Sequence, residues 1–220
     1  NASGVNLKKG STDAIAVIVG DLLYPYYAKL LKQIAYCLNE HGKSIIVCDA
    51  DNDFRMELQH YQRMKTGYVD GAIIVPSPLT VTQENVKTAL KVLGGIDLPI
   101  TFVCHGLPPF ERYSTVGTPP YECGYLAAKH LLELGHRRIA YVSESLEHDA
   151  LNPKLQGFRA ALRDHDTDFR EELTLYGHAR YGGGSKAYQE LADSDMTAAV
   201  CSDDLLAVGF LSTAVADGRR

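Results

Sequence analysis

A carboxylate and an aromatic turn follow the first strongly apolar segment of the chain. Asp21 comes just after the run Ala14–Val19, and Tyr26 and Tyr27 stand a few residues further on. A carboxylate accepts hydrogen bonds from ligand hydroxyls, and an aromatic ring stacks on the face of a sugar or a base. If the run is a strand of an open α/β sheet, these side chains lie at its carboxyl end, where such sheets bind ligands. We therefore predict that Asp21 and Tyr26 contact a small molecule.

These residues also have structural alternatives. Asp21 serves equally well as a turn or capping residue, a role that aspartate often takes. Tyr27 belongs to the apolar stripe of the helix that follows, which favours core packing for it, whereas Tyr26 lies off that stripe. Tyr26 is therefore the better candidate for a ligand contact.

Two further polar side chains closely follow later apolar runs. Ser77 comes after Gly71–Val75, and His105 comes after Ile100–Val103. Because parallel strands end at the same edge of a sheet, we expect both residues to face the ligand site. An isolated histidine is more often an ordinary loop residue, and this alternative stays open for His105.

Several kinds of chemistry have no supporting pattern. The segment Tyr181–Lys186 superficially resembles a phosphate-binding loop, but it lacks the GxxxxGK[ST] spacing, and we expect an ordinary loop before a helix. The five cysteines include no CxxC pair, and no Ser-His-Asp or Cys-His set can be assigned. We therefore predict no catalytic residue, no metal and no cofactor.

Composition and charge narrow the class of protein. The chain has 220 residues, of which 45% are hydrophobic and 22% are charged, and its formal net charge is −5. It has no basic block for nucleic acid, no apolar run of the roughly 20 residues that a membrane helix needs, and no secretory signal. Since the cysteines are also expected to be reduced, we predict a cytoplasmic globular protein that does not contact a membrane.

Apolar runs alternate with helical patterns along the chain. The runs are rich in Ile and Val and mostly lack polar alternation, which is typical of parallel strands covered on both faces. The predicted strands are Ala14–Val19, Ser44–Cys48, Gly71–Val75, Ile100–Val103, Arg138–Val142 and Ala198–Cys201, with weaker candidates at Ser114–Val116 and Glu172–Leu175. This alternation predicts an α/β fold of parallel βαβ units with right-handed crossovers.

The alternation breaks once along the chain. The break falls at Gly106–Pro120, which holds four prolines. We interpret this stretch as the connection between two doubly wound parallel-sheet subdomains, residues 13–118 and residues 119–220.

Motifs in a fixed order extend over nearly the whole chain. They are Leu7–Thr12, Tyr24–Ala28, Gly67–Ile74, Gly124–Leu131, Leu134–Ala140, Gly157–Leu162 and Cys201–Gly209. Together they resemble the lactose-repressor/galactose-repressor family of bacterial transcription regulators. The pair Gly124–Leu131 and Leu134–Ala140 is the most specific match, and the common order of all the motifs strengthens the resemblance.

The resemblance implies a fold and a function. The family fold is a pair of periplasmic-binding-protein-like (type I) subdomains with an effector in the cleft, preceded by a hinge and a helix-turn-helix head. We accordingly expect residues 1–12 to be a tag remnant and the hinge end, the head to be absent from this chain, and the second subdomain to be incomplete. The implied function is to sense a small molecule, such as a sugar, and to control operator DNA binding as a homodimer.

The resemblance also implies ligand contacts in both subdomains. The family places contacts at Tyr26 and Tyr27, an effector-gripping arginine at the position of Lys154, and commonly an asparagine at that of Asp203. Lysine lacks the bidentate fork of arginine, aspartate only accepts hydrogen bonds, and a helix N-cap is the structural alternative for Asp203. Prolines at positions 119–120 also replace an Asp-Asn pair, so the effector need not be the family's common hexose.

Two other functions share part of this pattern. A solute-binding protein of a sugar transporter has the same fold, but the lack of a secretory signal and the hinge-like Leu7–Thr12 argue against it. An enzyme of the doubly wound class is the second alternative, and it has no assignable catalytic group. A helix-turn-helix encoded upstream favours the regulator, whereas a secretory signal there favours the transporter protein.

Overall fold

The chain divides into two compact units, Asn1–Thr118 (unit 1) and Pro119–Arg220 (unit 2). The computed structural model describes residues 11–77, 83–104, 110, 112–144, 152–178 and 180–219. Each unit is a parallel sheet with helices packed on both faces, which confirms the predicted α/β fold class. None of the helices in these ranges is long and apolar enough to cross a membrane.

Unit 1 is built on a five-stranded parallel sheet. Its strands are β1 (Ala14–Val19), β2 (Ser44–Asp49), β3 (Gly71–Ile74), β4 (Ile100–Val103) and β5 (Ser114–Val116), and its helices are α1 (Pro25–Glu40), α2 (Phe54–Met64) and α3 (Gln83–Leu93). The strands lie in the order β2-β1-β3-β4-β5. Val19 pairs in register with Asp49, and Ile18 pairs with Ile74, so β1, β2 and β3 end side by side.

Alternate residues of β1 face opposite sides of the sheet, as the period of two in a strand requires. On one side Ile18 packs in a buried cluster with Tyr61 of α2. On the other side Val17 packs with Leu31 of α1. The absence of polar alternation in β1 follows from this coverage of both faces.

Unit 2 is built on a three-stranded parallel sheet in the described residues. Its strands are β6 (Ile139–Val142), β7 (Thr174–Leu175) and β8 (Ala198–Cys201), and its helices are α4 (Pro120–Glu133), α5 (Pro153–Asp164), α6 (Arg180–Leu191) and α7 (Asp204–Ala216). The order is β7-β6-β8, and every residue of β6 is buried. Tyr141 packs against Phe158 of α5 on one face, and Val142 packs against Leu206 of α7 on the other.

Glycines bring α4 and α5 unusually close. A Cβ placed on Gly124 would lie 1.9 Å from the backbone oxygen of Lys154, and one on Gly157 would lie 1.9 Å from that of Tyr121. No side chain fits there, because a main-chain oxygen cannot rotate away. Both glycines fall in the motifs that carry the family resemblance. The close helix packing explains why these two positions require glycine.

The prediction of a loop at Tyr181–Lys186 is wrong, because these residues lie within α6. The reason is again close helix packing, here between α6 and α7. A Cβ on Gly184 would lie 2.1 Å from the backbone oxygen of Leu206, and one on Gly209 would lie 2.0 Å from that of Tyr181. Tertiary packing thus overrides the poor helix propensity of consecutive glycines.

The weak strand candidate Glu172–Leu175 is only half right. Glu171–Leu173 forms a 3-10 turn, and only Thr174–Leu175 pairs with β6. The tighter turn places Leu173 in the buried cluster beside α6 and α7.

The two glycines of α6 at positions 182 and 184 give a matched test of this packing. We expect Gly184→Ala to lower the free energy of unfolding by about 1–3 kcal/mol, because its methyl group overlaps the backbone of α7. We expect Gly182→Ala to raise it by about 0.5–1 kcal/mol, because no heavy atom lies within 4 Å of that Cβ and alanine is the better helix former. Urea unfolding followed by circular dichroism measures both, and equal effects would contradict the packing.

Candidate functional site

Asp21 is built into the turn that ends β1. The residue is only 2% exposed. Its Oδ1 accepts a hydrogen bond from the Leu23 backbone N–H at 2.8 Å, and its Oδ2 accepts one from Asn52 Nδ2 at 3.4 Å. These bonds match the turn role, which the sequence analysis weighed equally with ligand contact.

Tyr26 and Tyr27 stand in the first turn of α1, directly after Pro25. Tyr26 is 54% exposed, and its ring meets that of Tyr27 edge-on, with centroids 5.5 Å apart. Tyr27 is half-buried and packs against the cluster that contains Val17 and Leu31. Tyr27 therefore anchors the pair, while Tyr26 presents its ring to the outside at the carboxyl edge of the sheet. Such a ring can stack on a flat ligand face.

Ser77 lies beside the turn after β1. The residue is completely buried, and a Cβ placed on Gly20 would come within 3.4 Å of the Ser77 Cβ and 3.2 Å of the Tyr27 hydroxyl. The turns after β1 and β3 therefore meet, as their parallel order predicts. Because Ser77 is buried, its side chain packs beneath the surface at this edge of the sheet.

Glu57 is a buried carboxylate that the sequence analysis missed. It is 1% exposed, it accepts a hydrogen bond from the Tyr61 hydroxyl, and its Oε2 accepts one from the Ser77 backbone N–H at 3.4 Å. Burial raises the pKa of Tyr61 well above its usual value, and the nearby Glu57 charge raises it further. Its burial could have been predicted from its position, because Glu57 lies three residues after Phe54 and four before Tyr61 on the apolar stripe of α2.

Asn52 links the ends of β1 and β2. Its backbone N–H donates to the Gly20 carbonyl at 2.6 Å, and its side chain donates to Asp21. Asp51 and Asn52 have φ angles of +48° and +50°, and such left-handed residues persist only where their surroundings hold them. No ligand role is predicted for Asn52 from its position in the sequence. The residue types at positions 51 and 52 do fit the backbone, because Asn and Asp adopt this conformation more readily than other non-glycine residues.

In unit 2, Lys154 lies in the first turn of α5. Its ammonium group donates a hydrogen bond to the Ser202 carbonyl at 2.7 Å, which ties α5 to the end of β8. Lys154 also lines a small cavity of about 80 Å³ together with Tyr141 and Cys201. The lysine side chain thus borders this cavity beside the sheet, and its ammonium group lies at the carboxyl end of β8.

Asp203 is the N-cap of α7. Its Oδ1 accepts hydrogen bonds from the backbone N–H groups of Leu205 at 2.8 Å and Leu206 at 3.1 Å. This is the structural alternative that the sequence analysis gave for Asp203. A carboxylate performs it as well as the family's amide does.

Glu144 is a second carboxylate at this edge, and the sequence analysis missed it. Burial raises its pKa, the Asp203 charge raises it further, and the Lys154 and Arg180 charges oppose the increase. The residue follows β6 almost directly, so the rule that selected Asp21 after β1 would also have found Glu144.

The cysteines are all free thiols. Cys37 and Cys123 are exposed. Burial raises the pKa of the thiols of Cys48 and Cys104, and it raises that of Cys201 to about 12. The raised pKa values disfavour the reactive thiolate form at Cys48, Cys104 and Cys201.

His105 lies outside the described residues, so its predicted contact stays a prediction. Within the described ranges, no group of His, Cys, Asp and Glu side chains could hold a metal ion.

The sequence and the fold match known proteins. The sequence profile of the periplasmic binding proteins and sugar-binding domains of the LacI family matches residues 12–220. The chain therefore belongs to this family, as the motifs predict.

Individual relatives agree with the family match. The HTH-type transcriptional repressor PurR of Mannheimia succiniciproducens is 26% identical over 217 residues, covering 98% of this chain and 63% of the relative. The transcription regulator CcpA of Lactococcus lactis has a TM-score of 0.78 at 25% identity, covering 94% of this chain and 74% of that one. The complex of the transcriptional regulator CelR with cellobiose has a TM-score of 0.77 at 26% identity, covering 99% and 68%. This chain thus spans less than two thirds of the length of the PurR relative.

The turn after β1 offers a test of the two roles considered for Asp21. We expect Asp21→Ala to lower the free energy of unfolding by about 1–3 kcal/mol, because it removes the acceptor for the Leu23 N–H and the Asn52 amide. Tyr26→Ala serves as the comparison, and we expect a change within about 0.5 kcal/mol because its ring is half exposed. Urea titrations of the unliganded proteins measure both. A wild-type unfolding midpoint for Asp21→Ala would rule out the turn role.

Proposed function

We propose that this chain is the effector-binding core of a bacterial transcription regulator that senses a sugar or related small metabolite. The family match over residues 12–220 carries the proposal. PurR is a transcriptional repressor by name, and the CelR structure contains cellobiose, which supports both the regulatory role and the ligand class. Binding favours one conformation of the core, and that shift in population changes DNA binding by a head domain.

Tyr26 and Lys154 are the proposed direct contacts. The exposed Tyr26 ring stacks on the apolar face of the ligand, as aromatic side chains do in many small-molecule sites. The Lys154 ammonium has three N–H donors, of which the Ser202 carbonyl accepts one, so ligand oxygens can accept from the others. Tyr27 anchors the Tyr26 ring, and His105 remains a proposed contact.

An indirect role in ligand binding is proposed for Asp21, Ser77 and Asp203. The first two are almost completely buried, and the third caps a helix. They set the shape of the turns at the carboxyl edges, so ligand selectivity depends on them through the backbone.

The proposal extends to assembly and location. Operator DNA is read by a head domain that these residues do not contain. Because paired heads read two half-sites, we propose a homodimer that acts in the cytoplasm.

A solute-binding protein of a sugar transporter is the alternative within the same family. The relatives described above are transcription regulators by name, which favours the regulator over both this alternative and an enzyme. The gene sequence upstream of residue 1 decides the matter. A helix-turn-helix coding region supports the regulator, and a secretory signal there would overturn it.

Thermal shift with glucose, ribose and cellobiose at millimolar concentration tests the ligand class and the contacts. A sugar at 100 times its Kd stabilises the native protein by about 2.7 kcal/mol, which raises its Tm. We expect Tyr26→Ala and Lys154→Met to lose this rise, because each removes a direct contact. Tyr36→Ala is the control, because Tyr36 is an exposed tyrosine further along α1, and it should respond like the wild type.

Two results would contradict the proposal. An undiminished shift in both contact variants would show that the contacts are wrong. No shift with any of the three sugars in the wild type would count against the ligand class.

A further inference from the structure

One carboxylate holds the chain where it leads into β1. Residues 11–13, the leading segment, direct four donors onto the Asp70 carboxylate. Ser11 Oγ donates at 2.6 Å, the Thr12 N–H at 2.7 Å, the Thr12 hydroxyl at 2.8 Å and the Asp13 N–H at 2.9 Å. Three successive residues thus bond to a single side chain that stands directly before β3.

A lysine completes this arrangement. Lys43 stands directly before β2. Its Nζ lies 2.9 Å from Asp13 Oδ1 and 3.2 Å from Asp70 Oδ2. Backbone bonds join the same positions, because the Ser44 N–H donates to the Asp13 carbonyl and the Asp70 N–H donates to that of Ala14. The amino ends of β1, β2 and β3 are therefore linked at one point.

The charge of Asp70 is stabilised by its surroundings. The Ser11 hydroxyl and the Thr12 N–H, followed by the Thr12 hydroxyl and Lys43, hold the pKa of its carboxyl well below the usual range. Hydrogen bonds to an ionised acceptor are shorter and stronger than those between neutral groups. The Asp70 carboxylate consequently stays charged at neutral pH and binds the leading segment firmly.

The backbone of the leading segment also requires such a restraint. Asp13 has a φ angle of +52°, in the left-handed region that non-glycine residues seldom adopt. A residue in this conformation persists only where surrounding contacts fix it. The bonds to Asp70 and Lys43 supply those contacts where the chain enters β1.

We propose that Asp70 is a positioning residue that makes residues 11–13 part of the rigid body of unit 1. Residues 11–13 then keep a fixed orientation at the amino edge of the sheet. The turns that carry Asp21 and Ser77 stand at the opposite edge of the same sheet. This arrangement of Asp70 and Lys43 around residues 11–13, the clamp, is independent of the proposed function. Its use in passing a ligand signal toward a DNA-binding head rests on that function.

Amide hydrogen exchange of the whole chain, resolved by NMR, tests the clamp. In Asp70→Asn the amide oxygen cannot replace a charged acceptor of four donors. We expect the amides of residues 12 and 13 to exchange about tenfold faster or more, with the protection of residues 15–19 and 71–74 unchanged. Asp97→Asn is the matched control, because it makes the same change at an exposed carboxylate of unit 1 and should leave these rates alone.

A second variant keeps the test decisive if Asp70→Asn does not fold. The double change Ser11→Ala with Thr12→Val removes two hydroxyl donors from the leading segment and leaves the sheet intact. We expect it to accelerate exchange at residues 12 and 13 in the same direction by a smaller factor.

Two outcomes overturn the proposal. In one, residues 12 and 13 exchange at the wild-type rate in every variant that folds. In the other, faster exchange spreads evenly over β1 and β3, which would mean that Asp70 acts only through the stability of unit 1. Neither outcome depends on sugar binding, so failure of the clamp and failure of the proposed ligand are distinguishable.

Discussion

Parallel strands must be covered on both faces, and the rest of the architecture follows from that constraint. Helices cover both faces of each sheet, and each connecting helix leads from the end of one strand back to the edge where the next parallel strand begins. All strands of a unit therefore begin at one edge and end at the other. In unit 1 the two edges of the sheet have different roles. The amino edge fixes the incoming chain through Asp70, and the carboxyl edge gathers the turns that carry Asp21, Asn52 and Ser77.

The carboxyl edges show how polar side chains divide their roles. Asp21 and Asp203 accept backbone hydrogen bonds, and Glu57 joins α2 to the turn after β3. A buried acceptor left without a donor would be costly, so these groups are committed to the scaffold. Tyr26 and Lys154 extend from that scaffold. The effector contacts proposed at these two residues therefore stand on a backbone that is already fixed.

Local pattern was enough to predict the Ile-rich and Val-rich strands such as Ala14–Val19, because such runs are typical of buried parallel strands, but it predicted Glu172–Leu175 only in part. The polar residues at strand ends followed from the parallel order, which located Tyr26 and Asp21 but not their exposure. The features that could not be predicted from the sequence depend on contacts between residues that are distant in the chain. The close approach of Leu206 to Gly184 is visible only in the folded chain, and Glu57 is recognised as a buried acceptor only once Ser77 is beside it.

The distribution of thiols gives each unit its own chemical handle. Cys37 stands exposed on α1 of unit 1, and Cys123 stands exposed in the first turn of α4 of unit 2. Cys48 is buried, and burial raises the pKa of the thiols of Cys48, Cys104 and Cys201, which slows their alkylation relative to that of exposed thiols. We therefore expect a maleimide dye or nitroxide to label one exposed thiol in each unit first, at Cys37 and at Cys123. Spectroscopic distances between these two labels report directly on movement of one unit against the other.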